Sequence, residues 1–439
     1  MSVSETNAHP SHWSDLLWYA ATLLFICAIG IGFWLAAPER SPARPVFHAY
    51  YVWQKQWNDG VRASLARADL HAASLMVLIG EVNATRGTLK LDSAFPDWQA
   101  LAKCRAPVTL VLRANVALSD LLQSDSRDTA VNFVCGAFAD SIAAGTDAGV
   151  SVRGLQLDYD CPSSKLGTYT QLVESIRAQF SSYELSITTL PTWLRWNEFG
   201  DLVRKLSYYV LQVHSLDAPE TVEDEITLCD TSRIPGYLRR ASAIGAPFYL
   251  ALPTYGYRFT FDSTGKFVAL AAEGPSGALQ AGYRSRTVMA DAEQIAKVVR
   301  ALEQQPPHGL LGIAWFRMPV ESDTLNWPWP ALDAVRAGRA PETAVVASVR
   351  TPEPGLYEVW VENKGDTAPT DGIQISLRIS LRDMTAYDTH NGFESKPGDG
   401  AILLTGPAPR PEGSTLAAWF RMRAIDSTAP TVGLIAIGL

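Results

Sequence analysis

The segment VRGLQLDYDCP, residues 152–162, decides how this chain of 439 residues is interpreted. Side chains alternate along a β-strand, so Gln156, Asp158 and Asp160 share one face and the apolar residues between them share the other. In a parallel barrel the apolar face must meet the surrounding helices. The three polar side chains are therefore expected to point into a barrel, toward the mouth at the carboxyl ends of its strands.

Short runs rich in β-branched and aromatic residues recur along the chain, separated by stretches with helical spacing. This alternation predicts βα units and a parallel sheet. No GxGxxG follows a strand, and eight units in roughly 290 residues favour a (β/α)8 TIM-type barrel of the α/β class over a doubly wound sheet. The predicted strands cover residues 46–53, 74–82, 107–118, 154–160, 183–190, 208–216, 247–257 and 309–319.

The pattern of residues changes on both sides of the predicted barrel, which we place at residues 46–340. Residues 38–45 read as a proline-rich linker. Residues 341–439 show alternating strands and turn residues without helical spacing, which predicts a small β-sandwich module. Such a module either stabilises or spaces the barrel, or binds carbohydrate.

Composition narrows the class of function. The formal net charge is −8, so no basic field favours nucleic acid as a partner, and no cofactor motif is found. Hydrophobic residues make up 47% and charged residues 19%, which indicates a folded protein. Apart from Cys27, the spacing of the cysteines matches no zinc-binding pattern, and no metal site is expected. These cysteines form either two disulfides or buried thiols. These cysteines are Cys104, Cys135, Cys161 and Cys229.

Two carboxylates two residues apart on an inward face repel each other and are partly desolvated. These conditions raise one pKa and suit an acid catalyst. A buried polar layer or a metal-binding pair would also explain Asp158 and Asp160. Polar residues on other predicted strands favour a ligand site, because an interior built for stability alone is filled by Val, Ile and Leu. By parity these residues are Thr109, Arg113, Asn115, Ser186, Thr188, Gln212 and His214.

Aromatic residues near predicted strand ends supply planes on which the apolar C–H face of a sugar can stack. The candidates are Trp53, Tyr255 and Trp315. Together with the family resemblance described next, they imply a polysaccharide or oligosaccharide as the substrate.

The stretch RGLQLDYD resembles the DGxDxDxE signature of the family 18 glycoside hydrolases, which are chitinase-like barrels. Gln156 stands at the first Asp of that signature, Asp158 at the second and Asp160 at the acid. The segments ALPTYGYRF, residues 251–259, and GIAWF, residues 312–316, are similar to the seventh and eighth strands of the family, whose Trp floors the sugar site. The resemblance covers roughly residues 46–335 and implies a divergent member.

The resemblance implies a retaining glycosidase in which Asp160 protonates the glycosidic oxygen and Asp158 positions the substrate's own N-acetyl group for attack. Asp in place of Glu shortens the acid by about 1.5 Å, and a misplacement of about 1 Å can cost on the order of a hundredfold in rate. The QVHS segment, residues 212–215, stands where the family has MxYD, so His214 replaces the Tyr.

Three functions therefore stay open. The first is a glycoside hydrolase in which the substrate is bound by the residues at the predicted mouth. The second is a catalytically silent barrel that binds glycan at the cell envelope, and the third is metal-dependent hydrolysis through Asp158, Asp160 and His214. The substrate-binding residues expected for the first function are Gln156, His214, Gln212, Tyr255, Trp315, Arg113, Asn115 and Trp53.

Residues 16–37 are 22 uncharged and mostly apolar positions, the length of a membrane-spanning helix. The preceding tail, residues 1–15, contains no Lys or Arg, which argues against a cleaved signal peptide. Arg40 and Arg44 follow the span, and the positive-inside rule would keep them cytoplasmic. A barrel that handles polysaccharide normally faces outward, so we expect a single-pass protein of the cytoplasmic membrane with a periplasmic or extracellular barrel.

Overall fold

The structure is a computed structural model that describes residues 46–439. It leaves out residues 86, 215–217, 273–278, 370–371, 380, 399–400, 424–430 and 438–439 within that range. The predicted tail, membrane anchor and linker at residues 1–15, 16–37 and 38–45 lie outside the described residues. Among the helices that are described, none is long and apolar enough to cross a membrane.

Eight parallel strands close into a barrel, which confirms the predicted TIM-type architecture. The closing contact pairs the first strand with both the second and the last strand of the barrel. The strands of this part of the chain are β1 (Phe47–Val52), β2 (Ser74–Thr85), β3 (Thr88–Ser93), β4 (Val108–Ala114), β5 (Val152–Tyr159), β6 (Glu184–Thr189), β7 (Tyr208–Gln212), β8 (Phe248–Pro253), β9 (Gly256–Phe261), β10 (Phe267–Ala271), β11 (Arg284–Met289) and β12 (Leu310–Phe316). The barrel order is β1, β12, β8, β7, β6, β5, β4 and β2, while β3 pairs antiparallel with β2.

Helices follow the strands and cover the outside of the barrel. Several begin at a residue whose side chain caps the free amide groups of the first turn, as Asp291 does by accepting from the Gln294 amide at 3.0 Å. The helices are α1 (Asp59–Asp69), α2 (Trp98–Leu101), α3 (Leu118–Leu122), α4 (Arg127–Asp147), α5 (Leu166–Gln179), α6 (Asn197–Val203), α7 (Ile234–Ile244), α8 (Ala292–Gln304) and α9 (Trp329–Arg336).

The apolar residues divide into two layers, as strand alternation requires. Leu155 and Leu157 of β5 belong to the large core between strands and helices. A smaller cluster fills the barrel interior and includes Tyr51, Met76 and Val210. The interior below the mouth is thus packed rather than hollow, and Asp158 lies above this packed layer, near the carboxyl end of β5.

An antiparallel sheet of β10, β9 and β11 interrupts the chain between β8 and α8. Residues 247–257 were predicted as one continuous strand, and that prediction is wrong. The strand ends at Pro253, and Thr254 turns its hydroxyl to the Arg317 carbonyl oxygen at 2.5 Å. The inserted sheet packs through Phe259 and Phe261 against Ile226, in the connection after β7.

The predicted C-terminal region of β structure is confirmed. Two four-stranded sheets, ordered β13, β14, β19, β16 and β17, β18, β15, β20, contribute to one apolar core, as in a β-sandwich. The strands are β13 (Val345–Glu353), β14 (Leu356–Asn363), β15 (Ile373–Arg378), β16 (Met384–Thr389), β17 (Glu394–Gly398), β18 (Ala401–Gly406), β19 (Ser414–Met422) and β20 (Thr431–Ile437). The four cysteines of the described residues are free thiols rather than two disulfides, and Cys135 and Cys161 among them are buried.

Candidate active site

Asp158 lies inside the barrel near the carboxyl end of β5, with 7% of its surface exposed. The Thr188 hydroxyl donates a hydrogen bond of 2.5 Å to its Oδ1 atom, and the Gln212 amide donates to the same atom at 3.5 Å. The other oxygen, Oδ2, lies 4.0 Å from Nε of Arg113. Side chains from β4, β5, β6 and β7 therefore meet at this carboxylate and fix its orientation.

Burial raises the pKa of Asp158 to about 6, because the interior disfavours the charged form. The Arg113 charge and the Thr188 hydrogen bond lower the pKa, while Asp160 and Glu81 raise it further. A carboxyl group in this environment changes its charge close to neutral pH.

Asp160 is the first residue after β5 and is exposed at the mouth of the barrel. Within the described part of the chain no group forms a hydrogen bond with its carboxylate. Partial burial raises its pKa, and Arg113 acts in the opposite direction. The two carboxylates of the segment thus differ in character, since one is buried and held in place while the other is free to contact a ligand.

Gln156 lies one pleat deeper and is fully buried. Its Oε1 atom accepts a hydrogen bond of 2.6 Å from the Tyr51 hydroxyl, and its Nε2 atom donates to the Ser186 hydroxyl at 3.1 Å. The prediction that Gln156 binds substrate is corrected, because its amide is used within the barrel beneath the carboxylates. Sequence reasoning missed Tyr51, although alternation along the first strand places it on the same face as Trp53.

Aromatic rings line the side of the mouth opposite the carboxylates. Phe316 lies at the centre, with ring centroids 4.9 Å from Trp53, 5.4 Å from His214 and 5.5 Å from Tyr255. Trp53 and Phe316 are half-buried, so part of each ring is open to the cleft. The structure therefore brings the predicted residues Trp53, Tyr255 and His214 together around a ring that the sequence did not single out.

His214 packs its ring against Phe316 at an interplanar angle of 22°. Its Nδ1 atom lies 3.4 Å from the Tyr255 hydroxyl, while its Nε2 atom is buried without a hydrogen-bond partner. Burial lowers the pKa of His214 to about 4, so the ring is neutral at physiological pH.

Trp315 does not face the cleft, and the predicted role in binding a sugar is corrected. Its side chain is fully buried in the layer between strands and helices, where its Nε1 atom donates to Nδ1 of His48 at 3.1 Å. Because successive side chains point to opposite faces, the interior position belongs to Phe316.

Asn115 is also corrected, because its amide is used to extend the pairing of β4 with β2. Its Oδ1 atom accepts from the Ala84 amide and its Nδ2 atom donates to the Ala84 carbonyl, each at 3.1 Å. The polar groups of Asn115 thus bind backbone rather than the cleft.

The sequence analysis did not identify the ion pair of Lys55 with Glu81, which lies beside the mouth. Glu81 of β2 stands opposite Arg113 of β4 in the sheet register. Lys55 binds Glu81 at 3.1 Å and Asp92 at 2.6 Å.

Within the described residues no cluster of three or more His, Cys, Asp or Glu side chains is arranged to hold a metal ion, and Asp158, Asp160 and His214 do not form one.

A model of a domain of unknown function, DUF3142, matches residues 106–321 of the chain. This region is just under half of the sequence and contains both carboxylates. A search of curated proteins by sequence found no match.

Among solved structures, the chain is similar to the Bacillus cereus spore cortex-lytic enzyme SleL, with 12% identity, a TM-score of 0.47, and coverage of 68% of this chain and 76% of that one. It is similar to a chitinase from Chromobacterium violaceum, with 12% identity, a TM-score of 0.47, and coverage of 67% and 98%. A third similar structure is the GH18 chitinase ChiB of Flavobacterium johnsoniae, with 12% identity, a TM-score of 0.44, and coverage of 67% and 94%.

Proposed function

We propose that this protein is a glycoside hydrolase that cleaves a polysaccharide with retention of configuration, with Asp160 as the general acid and Asp158 as the residue that positions the reacting group. The observation that carries the proposal is that both carboxylates lie at the carboxyl end of β5, close enough to Arg113 for its charge to act on each of them. Barrel enzymes assemble their catalytic groups at that end of the strands.

The contrast between the two carboxylates supports the division of roles. Two titratable groups with different environments take different parts in acid and base chemistry. Asp158 is held by Thr188 and Gln212, which suits a group that must keep a substrate atom in place. Asp160 has an exposed carboxyl group that can approach a glycosidic oxygen and give it a proton.

The aromatic wall supports a sugar as the ligand. Trp53 and Phe316 present partly open rings within the same mouth as Asp160, and the apolar face of a pyranose packs on such rings. These features favour an oligosaccharide or polysaccharide over a small polar metabolite.

A second candidate function is a barrel that binds glycan without turnover. One observation favours it, namely that Arg113 opposes the burial that raises the pKa of Asp158 and of Asp160, whereas a general acid must carry a proton. Aspartate in place of glutamate also leaves the acid about one methylene farther from the substrate, about 1.5 Å.

We also propose that residues 16–37 anchor the protein in the cytoplasmic membrane with the barrel on the outer side. The uncharged apolar run supports this. Protease added to spheroplasts that express the full chain should cut the barrel region, and complete protection of the barrel in spheroplasts, with cleavage after lysis, would exclude an outward orientation.

Hydrolysis with a panel of polysaccharides and aryl glycosides tests the enzyme. The full chain in detergent should release reducing ends, and NMR of the first product should show the anomer of the substrate. An inverted product would exclude the retaining mechanism. Binding of a glycan with no release of reducing ends would favour the silent barrel.

A further inference from the structure

Arg113 lies at the mouth of the barrel, and its guanidinium group has no hydrogen-bond partner among the described residues. It lies next to the carboxyl end of β4, in register with Glu81 of β2 on one side and Asp158 of β5 on the other. Its side chain is 46% exposed. Within the described residues no group forms a hydrogen bond with it, since the nearest carboxylate oxygen, Oδ2 of Asp158, is 4.0 Å away from Nε.

The neighbouring carboxylates of the described residues form no hydrogen bond with this guanidinium, although Oδ2 of Asp158 lies at ion-pair distance, 4.0 Å from Nε. Glu81 is paired with Lys55 at 3.1 Å, and Lys55 also binds Asp92. Asp158 directs its Oδ1 atom to Thr188 and Gln212. The ring of Trp53 lies 5.9 Å from the Arg113 guanidinium carbon, and this contact holds the cation at the edge of the aromatic wall.

We propose that Arg113 determines the specificity of the site by pairing with a carboxylate on the bound sugar chain, so that the ligand is an acidic polysaccharide. A guanidinium has a planar fork of N–H donors that matches a carboxylate in two parallel hydrogen bonds. Here that fork is open, next to a ring on which a sugar packs. The inference names the substrate class of the proposed function and rests on it, although the binding itself requires no turnover.

Such a ligand would also resolve the conflict between Arg113 and the general acid. In the free protein burial raises the pKa of Asp160, and the Arg113 charge opposes this rise and so favours loss of the proton that the acid must donate. A substrate carboxylate bound to Arg113 would offset that charge, and Asp160 would keep its proton to a higher pH. Asp158, two residues earlier in the chain, is a second charged group that interacts with Asp160.

Calorimetric titration of the full chain with two matched ligands tests the inference. One is a hyaluronan hexasaccharide, and the other is the same oligosaccharide with its carboxyl groups reduced to alcohols. All proteins carry Asp160→Asn so that the ligand is not consumed. The carboxylated ligand should bind about tenfold to a hundredfold more tightly, the range expected for hydrogen bonds between charged groups.

The Arg113→Gln variant should lose this preference, and Arg113→Lys should keep only part of it, because an ammonium retains the charge without the fork. Arg153→Gln is the matched control, since Arg153 is at the start of β5 and pairs with Glu184 at 2.8 Å, away from the mouth. This control should bind both ligands as the parent does.

Equal affinity for the two ligands, or a preference that survives in Arg113→Gln, would overturn the inference, as would a failure of the carboxylated ligand to bind. These outcomes are separate from failure of the proposed function. A preference that depends on Arg113, in a protein that never releases reducing ends, would support the inference and reject the enzyme. Hydrolysis of a neutral polymer by a protein that shows no preference for the carboxylated ligand would support the enzyme and reject the inference.

Discussion

The hydroxyl of Thr188 donates a hydrogen bond of 2.5 Å to Oδ1 of Asp158, across the interface of β6 and β5. This contact fixes the orientation of a carboxylate that is almost fully buried. It also favours the charged form, against the burial that raises the pKa of Asp158 to about 6. The ionisation of Asp158 therefore depends in part on this hydroxyl.

Thr188→Val should raise the pKa of Asp158 above about 6, because the charged carboxylate loses its donor. A hydrogen bond to a charged group is worth about 1.5–3 kcal/mol, which corresponds to about one to two pKa units. If activity needs charged Asp158, the acidic limb of the pH profile of kcat/KM should move upward by this amount. Carbon NMR of labelled aspartate would measure the same shift.

Thr189→Val is the control for that experiment. The Thr189 hydroxyl donates to the Val210 carbonyl at 3.1 Å and does not contact Asp158. Its pH profile should match the wild type. An unchanged profile in Thr188→Val would show that the hydroxyl does not set the ionisation of Asp158.

Asp158→Asn should stabilise the fold at pH 8 but not at pH 4. The pKa of Asp158 rises from 3.8 to about 6 on folding, so the folded state binds the proton more tightly than the unfolded chain. Ionisation then costs stability as the pH rises from about 4 to above 6, by roughly 3 kcal/mol at most. The neutral amide avoids this cost.

Chemical denaturation of wild type and Asp158→Asn at both pH values would measure the difference. Asp147→Asn, at the exposed end of α4, is a control that should leave the free energy of unfolding unchanged at either pH. A loss of stability in Asp158→Asn that is equal at pH 4 and pH 8 would contradict the raised pKa.

Trp315 and Phe316 should respond differently to replacement by Leu. Trp315→Leu removes a fully buried ring from the outer core and should lower the free energy of unfolding by about 2–4 kcal/mol. It should leave the affinity for glycan unchanged. Phe316→Leu should weaken glycan binding severalfold at a smaller cost in stability, because its half-buried ring lines the cleft.

Denaturation and glycan titration of the two variants would separate these roles. Weakened binding in Trp315→Leu with normal binding in Phe316→Leu would mean that the eighth strand faces the other way.

Much of this arrangement could be predicted from strand alternation. The face shared by Gln156, Asp158 and Asp160 follows from the period of two, and the helices on the outside fix which face is inward. The alternation does not indicate how far below the mouth of the barrel each inward side chain lies. Gln156 lies about 6.6 Å below Asp158 along the strand, at about 3.3 Å per residue, and it falls within the buried plug rather than the cleft.

Trp315 and Asn115 were assigned wrongly because the alternation of side chains along their strands is interrupted or has ended at these positions. Trp315 was placed by resemblance to a motif, and the irregular pairing between Leu310 and Gly312 hides the register of the last strand. Asn115 lies just beyond the end of β4 at Ala114, where side-chain direction no longer follows the strand. Tyr51 and Glu81 were missed because their partners are distant in the sequence and only the closed barrel brings them to the site.

The Asp160→Asn variant tests the assignment of the general acid most directly. Its rate of release of reducing ends, from a polysaccharide that the wild type cleaves, is compared with the rates of the full chain and of Asp147→Asn, the matched control. Loss of a general acid typically costs about 10²–10⁴ in rate. We predict a loss in this range for Asp160→Asn, with binding of the polysaccharide retained and the control unaffected. Hydrolysis by Asp160→Asn at the rate of the wild type would contradict the assignment of Asp160 as the acid.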